Sequence, residues 1–189
     1  AGCFHNCMWQ MPDGDIIQCY AKTIAERLAA SAYPEGFAHH YWHPHRLDEP
    51  LKQKTPHGIF VGSMADLFGH WVPETQLRQV MRVMKRAHWH TFLVLTKNPR
   101  RLMSHRDLSR FRTGPDTWRA LRIVLEQSLK YHFPPNVWVG ASLPGGPLAQ
   151  VDNAKSALMM YLRYLDGVKA SVRFMSFEPL WFDAASVLW

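Results

Sequence analysis

Four short apolar runs constrain this chain more than any other feature: Ile59-Phe60-Val61, Phe92-Leu93-Val94-Leu95, Val137-Trp138-Val139 and Val172-Arg173-Phe174-Met175. Each is too short for a helix and rich in β-branched and aromatic residues. Each is also mostly apolar on both faces, the pattern of a strand covered on both sides. Amphipathic stretches separate them. In residues 73–87 the apolar set Leu77, Val80, Met81, Met84 and Ala87 recurs at helical spacing, and Pro73 suits the first helical position. Trp118, Leu121, Leu125 and Leu129 predict a second helix after the Gly114-Pro115 break, and Val151, Ala154, Leu158, Leu162 and Leu165 a third. Strand, helix, strand at spacings of about 30 to 45 residues implies crossover connections and a parallel sheet, so the fold class is α/β. At 189 residues and 47% hydrophobic, the chain is long enough to bury one sizeable core. A single domain over residues 1–189 is therefore expected.

In parallel α/β architectures the carboxyl ends of the strands face one shared mouth where ligands bind. The polar residues that follow the runs should converge there: Ser63 and Asp66 after the first, Thr96 and Lys97 after the second, Ser142 after the third and Glu178 after the fourth. Ser63 and Ser142 fit equally well as helix caps or turn residues. Lys97 and Glu178 need solvation, an ion pair with each other or a ligand, because a charge at the end of an apolar strand is otherwise costly.

The opening stretch belongs at the same mouth. It holds all three cysteines, Cys3, Cys7 and Cys19, an odd count that suits a metal site or free thiols in a reducing compartment better than a secreted disulfide framework. A helix is predicted from Tyr20 to Ala32 on the period of Tyr20, Ile24, Leu28 and Ala32, with Tyr33-Pro34-Glu35-Gly36 as its stop. Three soft thiolates just before that helix could ligate an iron-sulfur cluster with one open iron position, or zinc with His5 as fourth ligand. Ordinary free cysteines are the alternative. The eleven residues between Cys7 and Cys19, including the turn Met11-Pro12-Asp13-Gly14, are long for a metal loop.

Charge bears on partners. The chain has 22 Lys+Arg, 15 Asp+Glu and 11 His, a balance that favours phosphate-rich partners. Arg78, Arg82, Lys85 and Arg86 on one predicted helix, and Arg100, Arg101, Arg106, Arg110 and Arg112 on the next stretch, also read as solvated faces. The cluster His39-His40-Tyr41-Trp42-His43-Pro44-His45 invites a metal reading, but nothing in its spacing fixes ligand geometry. A short helical segment is expected over residues 46–52. No apolar run approaches the roughly 20 residues of a bilayer crossing, and no signal core opens the chain, so a cytoplasmic protein without membrane contact is expected.

Gly2-Cys3-x3-Cys7, followed by Cys19-Tyr20-Ala21 opening a helix, resembles the three-cysteine signature of radical S-adenosylmethionine (SAM) enzymes. More narrowly, the chain is similar to the phage and bacterial three-Cys-motif family of radical-SAM-like proteins, largely of unknown function. The blocks that carry this likeness are His43-Pro44-x-Arg46-Leu47-x-Glu49-Pro50-Leu51, Ile59-Phe60-Val61-x-Ser63-Met64-x-Asp66-Leu67, Thr91-Phe92-x-Val94-Leu95-Thr96-Lys97, Pro135-Asn136-Val137-Trp138-Val139-Gly140 and the stretch from Val172 to Leu180.

The resemblance implies a partial TIM-like barrel without its first and last strands. Its cysteine loop would hold a 4Fe-4S cluster on Cys3, Cys7 and Cys19, with SAM on the fourth iron. Electrons from an external donor would cleave SAM to methionine and a 5'-deoxyadenosyl radical, which abstracts hydrogen from an unknown substrate. Nucleic acid is a candidate substrate, with Trp42, Trp71 and Trp89 available to stack on bases. By chemical type, Lys97, beside Thr96, would meet the SAM carboxylate, and Ser63 or Asp66 its amino group. Ser142 would meet the ribose hydroxyls or carboxylate, Tyr20 or Trp9 the adenine, and Glu178 the substrate or amino group; Lys97 and Glu178 are the candidate catalytic residues. The sequence departs from the family in the long Met8 to Gln18 insertion and in lacking end strands. It thus reads as an incomplete piece whose open edges a partner protein would cover. The alternative on the same fold is a non-catalytic metal- or nucleic-acid-binding module of phage-host conflict.

Overall fold

The four apolar runs become the four strands of one parallel sheet, and the described helices between them pack on it. The computed structural model describes residues 1–5, 7–10, 13–102, 132–144 and 151–178. The helix expected around Trp118, Leu121, Leu125 and Leu129 lies outside the described residues, as do Arg106, Arg110 and Arg112. In chain order the elements are β1 (Met8–Gln10), β2 (Ile16–Gln18), α1 (Tyr20–Arg27), a 3-10 turn (Pro44–Arg46), α2 (Glu49–Lys52), β3 (Gly58–Val61), α3 (Glu74–Arg86), β4 (Thr91–Thr96), a 3-10 turn (Pro99–Leu102), β5 (Val137–Pro144), α4 (Val151–Asp166) and β6 (Val172–Glu178). The sheet order is β3-β4-β5-β6, all pairs parallel. The protein is α/β. Among the described residues no helix is long and apolar enough to cross a membrane.

The pleat decides what each strand buries. Along β4, Phe92, Val94 and Thr96 are buried while Thr91, Leu93 and Leu95 are half-buried, the period of two that alternating side chains impose. On the Phe92 side the core gathers Val94, Val137, Val139 and Ala141 with Leu77 and Met84 of α3 and Leu165 of α4. The register places Phe60, Leu93, Trp138 and Val172 in one row on the opposite side. There Phe60 and Trp138 stay 48% and 38% exposed. Among the described residues the cover is unequal: α3 and α4 contribute to the same buried cluster, while Phe60 and Trp138 on the other face stay partly exposed.

Other expectations are corrected in detail. Pro73 is not the first helical residue but the N-cap, with extended backbone at φ −61 and ψ 143. Helix α1 ends at Arg27 rather than Ala32. It buries only Ala21 and Ala25, and Ile24 and Leu28 are exposed, so no packing sustains a further turn. Ser142 lies within β5 opposite Ser176 and is neither a cap nor a turn residue. Arg101, placed by charge pattern on a solvated stretch, is buried. Its guanidinium donates to the carbonyls of Gly69 and Val72, which ties the turn after β4 to the β3–α3 connection. Arg78, Arg82, Lys85 and Arg86 do lie on the solvated side of α3.

Leu77 is fully buried at the centre of the core. Leu77→Ala is expected to cost about 2–5 kcal/mol, read as a lower urea midpoint at unchanged slope. Arg82→Ala on the solvated side of the same helix should move stability by no more than about 0.5 kcal/mol.

Candidate functional site

The eleven residues between Cys7 and Cys19 are not an open loop. They fold as an antiparallel hairpin, β1 on β2, with Met8 opposite Gln18, Trp9 opposite Ile17 and Gln10 opposite Ile16. The turn has Gly14 at φ +94, a backbone region that glycine enters without steric cost, and the Asp15 N–H donates to Asp13 Oδ1 at 3.1 Å. Because a hairpin returns to its starting point, Cys19 N–H donates to the Cys7 carbonyl at 3.1 Å. The length of the insertion no longer separates the two cysteines. An Asp-Gly pair between Met8-Trp9-Gln10 and Ile16-Ile17-Gln18 is the signal that could have predicted it.

Cys3 is anchored on the other side. Gly2 N–H donates to Met64 O and Cys3 N–H to Phe37 O, both at 3.0 Å, and Gly2 forms a parallel bridge with Ala65. Gly2 has φ +90, and a Cβ there would stand 1.7 Å from the His39 carbonyl oxygen. Only glycine lets the cysteine loop approach that backbone.

Asp66 ties these parts to the sheet. Its Oδ1 accepts from Phe68 N–H at 2.9 Å. Its Oδ2 accepts from Lys97 N–H at 2.9 Å and pairs with His5 Nε2 at 2.7 Å. The carboxylate is thus committed to the cysteine loop, its own turn and the end of β4 at once. His5 also stacks edge-on with Trp71, as does Phe4. Tyr20 O–H, at the start of α1, donates to Ser63 O at 2.6 Å. Tyr161 O–H of α4 donates to Lys97 O at 3.1 Å, and Thr96 Oγ1 accepts from Asn98 N–H at 2.9 Å. The sequence offered no sign of the Tyr161 support, because it depends on how segments 64 residues apart pack; the Thr96–Asn98 bond is a local turn contact.

The result is a cavity of about 140 Å³ at the carboxyl ends of β3, β4 and β5. Cys3, Cys7, Cys19, Tyr20, Ser63, Asp66, Thr96, Lys97 and Ser142 all line it, with His5. The backbone of Glu178 closes β6 opposite Pro144; the side chains of Glu178 and Trp9 lie outside the described residues. Burial pushes the Cys3 thiol up to about 11, the charges of Asp66, Cys7 and Cys19 adding to the effect and a backbone hydrogen bond at His5 opposing it. Burial also raises the Cys7 thiol, against the pull of the nearby Lys97 ammonium. The Ser142 hydroxyl is buried with no hydrogen-bond partner among the described residues.

Among the described residues no three Cys, His, Asp or Glu side chains are already drawn together as metal ligands. The donor set nevertheless fits a cluster with a bound anionic ligand: three free thiols, a lysine ammonium and an unpartnered hydroxyl share one cavity. The histidine cluster uses its rings otherwise. His39 pairs with Glu35 at 3.1 Å, His40 Nε2 meets Gln76 Oε1 at 2.6 Å, and His43 stacks on Tyr41.

A family model described as "Protein of unknown function (DUF5131)" matches residues 10–187. No curated protein and no solved structure matches the chain.

Two measurements follow from this geometry. Asp66→Ala should leave the Phe68 and Lys97 N–H groups without their acceptor, at about 1–3 kcal/mol for each group that stays buried, seen as a lower urea midpoint. For Cys3, burial raises the folded value from 9.0 to about 11, so the folded state holds the proton more tightly than the unfolded chain. That contribution to stability is present below pH 9 and is lost as pH rises through about 11. In the folded protein near pH 8, Cys3 should carry roughly 100-fold less thiolate than a free cysteine. Iodoacetamide labelling should therefore be slow at Cys3 and recover to the free-thiol rate in urea.

Proposed function

The chain belongs to the DUF5131 family of proteins of unknown function, and we propose that it is a radical-SAM-type enzyme. In this reading it holds a 4Fe-4S cluster on Cys3, Cys7 and Cys19 and binds S-adenosylmethionine beside it, to abstract hydrogen from a substrate. The observation that carries the reading is the convergence of all three thiols with Lys97, Ser63 and Ser142 in one cavity at the strand carboxyl ends. The sequential order β3-β4-β5-β6 supports a partial TIM-like barrel as the frame, because such a barrel is built by adding each parallel strand beside the last.

When bound, the cluster would supply the electron that splits SAM into methionine and a 5'-deoxyadenosyl radical. The work of this chain's own residues is to bind, orient and exclude water. Cys3, Cys7 and Cys19 would hold the cluster as its soft sulfur donors, with room for SAM beside it. The Lys97 ammonium meets the SAM carboxylate. Asp66, with both oxygens already accepting hydrogen bonds, holds the cysteine loop in place, and Ser63 is left to meet the amino group. Ser142, buried and unpartnered, would take a ribose hydroxyl or the carboxylate; Tyr20 would serve the adenine, and Glu178, whose side chain lies outside the described residues, the substrate or the amino group. An external donor supplies the electron, and the reducing cytoplasm keeps the thiols free. The basic balance of the chain makes nucleic acid the first substrate class to try.

Anaerobic reconstitution with iron and sulfide tests this. The wild-type protein should turn brown and hold about four iron atoms per chain, and each of Cys3→Ala, Cys7→Ala and Cys19→Ala should lose most of them. With dithionite and SAM the loaded protein should release 5'-deoxyadenosine. Lys97→Ala should weaken SAM binding about tenfold or more, the loss of one charge-assisted hydrogen bond. Full iron content in all three cysteine variants would sink the proposal. A colourless protein with stoichiometric zinc and salt-dependent nucleic-acid binding would replace it with the non-catalytic module.

A further inference from the structure

The hairpin does more than bring Cys19 back toward the other cysteines. Its register ends at Met8 opposite Gln18, and a single backbone bond, Cys19 N–H to Cys7 O at 3.1 Å, joins the two cysteines just beyond it. Such a bond brings two backbones about as close as antiparallel partners, whose Cα atoms lie about 4.5–5.5 Å apart, within the Cα range of disulfides, about 4.4–6.8 Å. Both cysteines line the same cavity. Both are free and half-buried. Cys3 has no such partner: its backbone is held by Phe37 and, through Gly2, by Met64.

We propose that Cys7 and Cys19 are a site of reversible oxidation, closing as a cross-strand disulfide at the base of the hairpin while Cys3 stays reduced. The oxidant class is a low-molecular-weight disulfide. One of the two thiols, as its thiolate, attacks a sulfur of that disulfide; the S–S bond breaks and one small thiolate leaves. The second cysteine then attacks the mixed disulfide, forms the Cys7–Cys19 bond and displaces the second small thiolate. Two protein thiols are oxidised by two electrons, one small disulfide is reduced to two thiols, and the two S–H protons leave with them. The crosslink ties together a hairpin whose strands are three residues each, a length that is marginal on its own. Resting on the function proposed above, the oxidised form has only one of its three cluster ligands left, so oxidation would switch cofactor loading off and a dithiol reductant would restore it.

The test uses the full chain incubated with oxidised glutathione, then blocked with iodoacetamide in urea, where all reduced thiols react, and mapped by mass spectrometry. Two of the three thiols should be protected from alkylation, the crosslinked peptide should join Cys7 to Cys19, and dithiothreitol should release it. Cys3→Ser should form the same crosslink, whereas Cys7→Ser and Cys19→Ser should form no internal disulfide. A crosslink that joins Cys3 to either of the others as the main product, or three thiols that all remain alkylatable, would overturn the pairing. A second arm loads oxidised and reduced protein with iron and sulfide anaerobically. Iron taken up by the reduced form alone supports the switch, and equal uptake by both forms overturns it. If neither form takes up iron while the Cys7–Cys19 crosslink still forms, the cluster assignment and the switch fall together and the oxidation site stands.

Discussion

Asp66 is almost fully buried, and a carboxylate in that position costs free energy unless donors are turned toward it. The donors come from three places. Phe68 N–H lies two residues on, Lys97 N–H lies at the end of the neighbouring strand, and His5 belongs to the cysteine loop. A satisfied carboxylate therefore requires that β3, β4 and the N-terminal stretch meet at one point. No other side chain described here binds all three. The cavity lies around it, and the Lys97 backbone that it holds is gripped again by Tyr161 of α4.

Around that anchor the structure divides into a rigid part and a lightly held part. The sheet and helices α3 and α4 share a dry core, with Leu77, Phe92, Val94 and Val137 essentially without exposure. The cysteine-bearing segment is fastened by a few specific contacts instead: the glycine approach at His39, the His5 ring against Trp71, and the hydrogen bonds of Gly2 and Cys3. The hairpin beyond Cys7 leaves Ile16 67% exposed and so gains little from burial. Side chains on such a segment have fewer contacts to fix them than Thr96 and Ser142, which lie on strands. Binding groups on regular elements are held with more precision than those on loops.

Much of the frame was legible in the residues. Short apolar runs at crossover spacing predict the four parallel strands, and helical periods predict α3 and α4, because period and length are local properties of the chain. Of the residues just after the runs, Ser63, Asp66, Thr96, Lys97 and Ser142 line one cavity, since parallel strands place their carboxyl ends together. What escaped depended on packing partners. Arg101 reads as one more exposed cation until the Gly69 and Val72 carbonyls are found beside it. Leu28 carries the helical period of α1 but stays 43% exposed, and Pro73 serves as a cap instead of a first turn. The three hydrogen bonds that hold Asp66 within the protein also could not be read from the sequence.

By itself the sequence determined the α/β class, the strand positions and the set of polar residues at the strand ends, because hydrophobic period and chain polarity are enough for those. It also contained the Asp13-Gly14 turn that folds the insertion. Only the tertiary structure decided that Cys19 donates to the Cys7 carbonyl at the base of the hairpin and that Cys3 lines the same cavity from another anchor. Distances between residues far apart in the chain depend on hydrogen-bond register and on which faces pack, and neither is encoded in the spacing of three cysteines.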